Sequence, residues 1–131
     1  MKKKLERKFK VKSKRILNSF KYAICGFIIS FKEERNMRLH ILAMLLVIIS
    51  GIYFKISNIE WIICAILFGL VISSELVNTA IENISDMITK EKNPKIKVIK
   101  DVAAASVLVN SISAIVAGLI IFLPRFQNLI K

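Results

Sequence analysis

A chain of 131 residues that is 55% hydrophobic, with a mean hydropathy of +0.59, carries more apolar surface than a soluble domain this short could hide, because small domains have a large surface for their volume. Its net charge of +12, from 21 Lys+Arg against 9 Asp+Glu, would suit nucleic acid, but 13 of the basic residues fall between Lys2 and Arg38 and 5 more between Lys90 and Lys100. Basic residues gathered in alternate connections are the positive-inside pattern of a membrane protein, and they argue against a nucleic-acid partner.

The first 14 residues, MKKKLERKFKVKSK, read as a mobile basic tail near the cytoplasmic leaflet. A single domain, 15–131, is expected to follow, with no internal repeat or low-complexity linker. Within it Ile16, Phe20, Ala23, Ile24, Phe27, Ile28 and Phe31 recur at three- and four-residue steps, which places them on one helical face. Lys14, Asn18, Lys21 and Cys25 lie towards the other. Segment 15–34 is too polar to span a bilayer and predicts an amphipathic helix in the interface. Charge persists to Arg38 with no small-residue cleavage site after it, so a secretory signal peptide is not expected. Cys25 and Cys64 sit in separate apolar segments without a CxxC or Cys/His cluster, as free thiols packed among hydrophobes do.

Beyond the charged junction Lys32–Asn36, three transmembrane helices are predicted. The first spans about 37–54, with Arg38 and His40 at its entrance, and a link over 55–60 leads to the second at about 61–88. Asn93-Pro94 breaks the chain. The third span, 102–123, has 22 residues without a charge, enough to cross roughly 30 Å of hydrocarbon, and Pro124-Arg125 is expected to end it. The fold class is therefore all-α membrane protein. The N-terminus and the 89–101 loop are assigned to the cytoplasm, where 18 basic residues gather against 3 outside.

The second span carries a polar stripe. At about 100° per residue, Glu75, Asn78, Glu82 and Asp86 fall within an arc of about 80°, and at about 1.5 Å rise the stripe is roughly 16 Å long. Leu76, Val77, Ala80, Ile81, Ile84, Met87 and Ile88 take the opposite side. A carboxylate in a bilayer is costly and normally faces a protein interior or a watery cavity. Three in a row repel one another, and either a divalent cation or lysines from another helix would relieve them. A polar seam between helices is the simpler use, but Asn78 and Thr79 would suffice for it. Glu34 and the pair Lys100-Asp101 stand near the same membrane face. No GxxxxGKS/T loop, Gly-rich kinase loop or GxGxxG is present, and the chain has four glycines. These residues by themselves indicate a buried acidic site that suits a cation and opens to the cytoplasm, and do not specify a nucleotide. His40 has no assigned role.

The run Glu75-Leu-Val-Asn78-Thr-Ala-Ile-Glu82-Asn-Ile-Ser-Asp86, followed by Lys100-Asp101-Val-Ala-Ala, resembles the signature of the bacterial diacylglycerol kinase/undecaprenol kinase family. The likeness reaches back through Glu34-Arg-Asn, Gly26, Tyr22 and Arg15 and covers nearly all of Arg15 to Leu123. It implies a homotrimer with composite sites between subunits, in the bacterial plasma (inner) membrane, using ATP and Mg2+ to phosphorylate a lipid alcohol. Carried over position by position, it implies Glu75 as general base and Glu34 and Glu82 as magnesium ligands. It also implies Arg15, Tyr22, Glu34, Asn78, Glu82, Glu91, Lys92, Asn93, Lys100 and Asp101 along the ATP site, and leaves the role of Asp86 open.

The sequence departs from the family pattern after Lys100-Asp101, where Val102-Ala-Ala-Ala-Ser106 lacks a glycine often found there. The junction Glu34-Arg-Asn-Met-Arg-Leu-His40 resembles the Gram-positive branch, which implies undecaprenol as substrate, with diacylglycerol as the alternative. Two other classes compete. A proton-coupled transporter would use intramembrane carboxylates as a relay, but this stripe emerges at one face only. A structural adaptor would leave three aligned acids unexplained.

Overall fold

The computed structural model describes residues 2–130 along the backbone and side chains over residues 15–129. Four helices follow in order: α1 Lys2–Glu33, α2 Arg35–Tyr53, α3 Asn58–Ile88 and α4 Pro94–Ile130. They divide into two compact units, α1 alone and the segment from Glu34 onward that holds α2, α3 and α4. Among the described residues three helices are long and apolar enough to cross a membrane, Arg35–Tyr53, Asn58–Ile88 and Pro94–Leu129.

Helix α1 includes the amphipathic segment expected at 15–34, and Ile16, Phe20 and Ile24 on its apolar face are exposed. Its helical backbone also runs back to Lys2, through the stretch expected as a mobile tail. That stretch has no Pro or Gly and is rich in Lys, a good helix former. The side chains of residues 1–14 lie outside the described residues.

The junction after α1 is a single residue. Glu34 is extended, at φ −96° and ψ 121°, and its side chain does not cap α2. The turn after α2 takes four residues, 54–57. Lys55 adopts φ 50°, while its N–H donates to Ile52 and that of Ile56 donates to the Gly51 carbonyl. This is a left-handed C-terminal cap, a place where glycine is the usual residue. Ser57 then starts α3 three residues earlier than the expected Trp61. Its Oγ accepts from Glu60 N at 3.3 Å, and Glu60 Oε2 accepts from Ser57 N at 2.7 Å, a reciprocal capping box.

Helix α4 also begins earlier than the expected 102. Asn93 Oδ1 accepts from Lys95 N at 2.9 Å, and Pro94 takes the first helical position, where its missing N–H costs nothing. The helix continues through Pro124-Arg125 instead of ending there. Arg125 donates to the Ile121 carbonyl and pairs with Glu60 at 2.9 Å, so its side chain fastens the helix on both sides of the proline.

Helix α3 packs chiefly on α4 and less on α2. The apolar core sits beside the α2–α3 turn, where Ile56, Cys64, Ile121 and Phe122 are buried against Val47, Phe54, Trp61 and Phe68. Phe54 meets Phe126 edge to face, with ring centroids 4.8 Å apart. Gly51 permits this closeness, since a Cβ there would stand 2.8 Å from the Trp61 ring.

Candidate functional site

The polar residues cluster in the other half of the bundle, on α3. Its helical period buries Glu75, Asn78, Thr79 and Ser85, with Glu75 only 1% exposed. Val77, Ile84, Met87 and Ile88 are instead exposed. Polar inside and apolar outside is the arrangement expected of a helix whose surroundings are hydrocarbon.

Glu75 has Glu34 and Glu82 as its interacting charges, so the structure brings together three carboxylates that the sequence places 41 and 7 residues apart. Glu34 stands at the N-cap position of α2 but makes no side-chain capping hydrogen bond, which leaves its carboxylate available to this cluster. Asn78 Nδ2 donates to Glu82 Oε1 at 3.2 Å. Asn78 Oδ1 is buried without a hydrogen-bond partner, and such an atom normally finds a donor or a cation. Thr79 Oγ1 donates to the Glu75 carbonyl at 3.0 Å.

Next to this cluster, Lys100 of α4 pairs with Asp86 at the end of the stripe. Asp101 faces back along α4 and pairs with Lys97 at 2.5 Å, a partner the sequence reading had not identified. Glu91, Lys92 and Asn93 are exposed in the short connection from α3 to α4. Glu91 N donates to Thr89 Oγ1 there, and Asn93 caps α4. Arg15 and Tyr22 are exposed on α1.

All the donors near Glu75 are oxygens, which suits a hard divalent cation such as Mg2+. Among the described residues no three His, Cys, Asp or Glu side chains group closely enough to hold a metal by themselves. Two carboxylates and an unpartnered amide oxygen, with the remaining positions left to phosphate oxygens and water, is the kind of set Mg2+ uses in phosphoryl-transfer sites. The residues fit the ion.

Residues 21–122 match the model of the prokaryotic diacylglycerol kinase family. The chain belongs to that family. It is a lipid kinase and a bacterial membrane protein. The kinase is 40% identical to an undecaprenol kinase of Bacillus subtilis over 85% of its own length and 90% of that protein's. It is 32% identical to a diacylglycerol kinase of Synechocystis over 87% of its length and 66% of the relative's. A diacylglycerol kinase of Pseudomonas aeruginosa is 31% identical over 71% of the kinase and 76% of the relative. Glu34, Glu75, Asn78, Glu82, Lys100 and Asp101 all fall inside the matched region, whereas Arg15 precedes it.

Proposed function

We propose that this kinase phosphorylates undecaprenol, taking the phosphoryl group from Mg-ATP at the cytoplasmic face of the plasma membrane. The observation that carries the reading is the buried Glu75 with Glu34 and Glu82 as its charged neighbours, in a chain 40% identical to an undecaprenol kinase.

The chemistry follows from the residues. Glu75 accepts the proton of the lipid hydroxyl as that oxygen bonds to the terminal phosphorus and the bridging P–O bond to ADP breaks. Burial among apolar helices keeps bulk water from competing for the phosphoryl group. Glu34 and Glu82 would hold magnesium, which when bound offsets charge on the phosphate oxygens. Asn78 orients Glu82 through its hydrogen bond. Lys100 is half-buried beside the stripe, where its ammonium can meet phosphate, and Asp101 lies next to it in sequence. Glu91, Lys92 and Asn93 would contact the nucleotide from the α3–α4 connection, and Arg15 and Tyr22 from α1. Three chains would assemble, each completing its neighbour's site. The basic residues hold the N-terminus and the α3–α4 connection on the cytoplasmic side.

A diacylglycerol kinase is the second reading, supported by the Synechocystis and Pseudomonas relatives. The purified protein in lipid vesicles, given labelled ATP and Mg2+, should transfer phosphate to undecaprenol in preference to diacylglycerol. The reverse preference would assign it to the second reading, and no transfer to either lipid would end both.

A further inference from the structure

Helices α2 and α4 stand apart on one side of α3, and the space between them is a cavity of about 460 Å³. Val47, Leu67, Phe68, Ala114, Gly118 and Phe122 form its walls, and no Lys, Arg, Asp or Glu is among the described residues that line it. One end lies at Phe126. The other end lies at Val71 and Ile72, about one helical turn, or ~5 Å along α3, from Glu75. His40 and Ser111 also line it, and Ser111 Oγ is buried without a hydrogen-bond partner. The cavity is therefore apolar along its length and ends about one helical turn short of the acidic stripe.

We infer that this groove holds the hydrocarbon chain of the lipid alcohol while its hydroxyl lies at Glu75, and that the groove sets the preference for a single long chain. This rests on the lipid-alcohol kinase reading above.

Three observations favour a chain as the occupant. The wall carries no formal charge other than what His40 could acquire, so an uncharged polymer matches it and a polar headgroup does not. From Ser111 to Phe126 the groove follows α4 for roughly 22 Å at 1.5 Å per residue, longer than the roughly 15 Å half-thickness that one leaflet offers an acyl chain. A hydrocarbon chain about 4.5 Å thick and of that length fills roughly 350 Å³, which the cavity of about 460 Å³ can hold. A helix about 10 Å across from a second copy is too wide to enter it. One chain fits. Its length, beyond what one leaflet offers an acyl chain, favours a single long chain over the shorter chains of a diacylglycerol.

Gly118 supplies the test. A Cβ added there meets nothing within 4 Å, so Gly118→Phe projects into open space and should leave the helices in place. With wild type and Gly118→Phe in vesicles, phosphate transfer is measured to a long polyprenol and to a short isoprenoid alcohol. The variant should lose about tenfold or more in kcat/KM for the polyprenol, the equivalent of roughly two displaced methylenes, and keep its rate on the short alcohol. Equal effects on both, or no effect on either, would overturn the groove assignment. A changed subunit count in native mass spectrometry, with chain-length preference intact, would give the groove to a second copy and overturn it as well.

A polyprenol bearing a diazirine along its chain gives a second readout on unmutated protein. It should label Ala114 and Gly118, and labelling confined to Val116 and Ile120, which lie outside the groove lining, would also count against the assignment. Wild-type protein inactive on alcohols of every length would sink the kinase reading itself, which these variants leave separate.

Discussion

Lys100 on α4 and Asp86 on α3 form an ion pair that ties the second turn of one helix to the last turn of the other. Both side chains retain access to water, with Asp86 62% exposed and Lys100 32%. Such a pair contributes only about 0–1 kcal/mol to stability, so holding the helices together is a poor account of it. In the proposed site it aims an ammonium along the acidic stripe. Lys100→Ala should raise the KM for ATP about tenfold or more, the loss of one charge-assisted hydrogen bond, with kcat less affected. Asp86→Asn should shift the same constant by a smaller factor and leave thermal unfolding unchanged. Steady-state kinetics at varied ATP decide both, and an unaltered KM in Lys100→Ala would remove that residue from the nucleotide.

Glu75→Gln replaces a buried carboxylate by a neutral side chain of the same shape. Turnover should fall by about 10²–10⁴, the usual contribution of a positioned base. Helix content by circular dichroism should be unchanged. A variant as active as wild type would mean that the lipid hydroxyl loses its proton elsewhere.

Glu34→Gln and Glu82→Gln each withdraw a carboxylate from the same cluster. Each variant should need about 10–100 times more Mg2+ for half-maximal rate, comparable with losses on weakening a metal's surroundings. In Glu82→Gln the Asn78 hydrogen bond can persist through the amide oxygen, so that variant separates charge from positioning. Titration of Mg2+ at saturating ATP checks the pair, and unshifted curves would place the cation elsewhere.

Gly51→Ala tests the far end of the bundle. The added methyl would stand 2.8 Å from the Trp61 ring and 3.1 Å from Ile56 Cδ1. Overpacking of this kind costs about 1–3 kcal/mol, against roughly 1 kcal/mol gained from better helix propensity. The midpoint of thermal unfolding in detergent should fall by a few degrees, while the KM for ATP stays constant because the residues proposed to hold the nucleotide are at the opposite end.

The helices were legible because a membrane imposes its own grammar. Long charge-free runs have to be helical to satisfy their backbones, and the i, i+3, i+7 spacing of Glu75, Asn78 and Glu82 already put them on one face. The helix ends were less so. Ser57-Asn-Ile-Glu60 is a capping signal, although its composition also reads as part of a link. Asn93-Pro94 marks a start as well as a break. Pro124 was expected to stop α4, and of the Arg125 contacts that carry the helix past it the one to Glu60 joins residues 65 positions apart, beyond the reach of any local pattern.

From sequence alone came the helices that cross the membrane, the buried acidic face of α3 and the likeness to a lipid kinase family, since each rests on periodicity or on a contiguous run of residues. Tertiary structure alone brought Glu34 next to Glu75, gave Asp86 to Lys100, and left a groove between α2 and α4. Those relationships depend on how far apart helices stand and which faces they turn to each other. Side-chain packing between distant segments decides that, and no single helix encodes it.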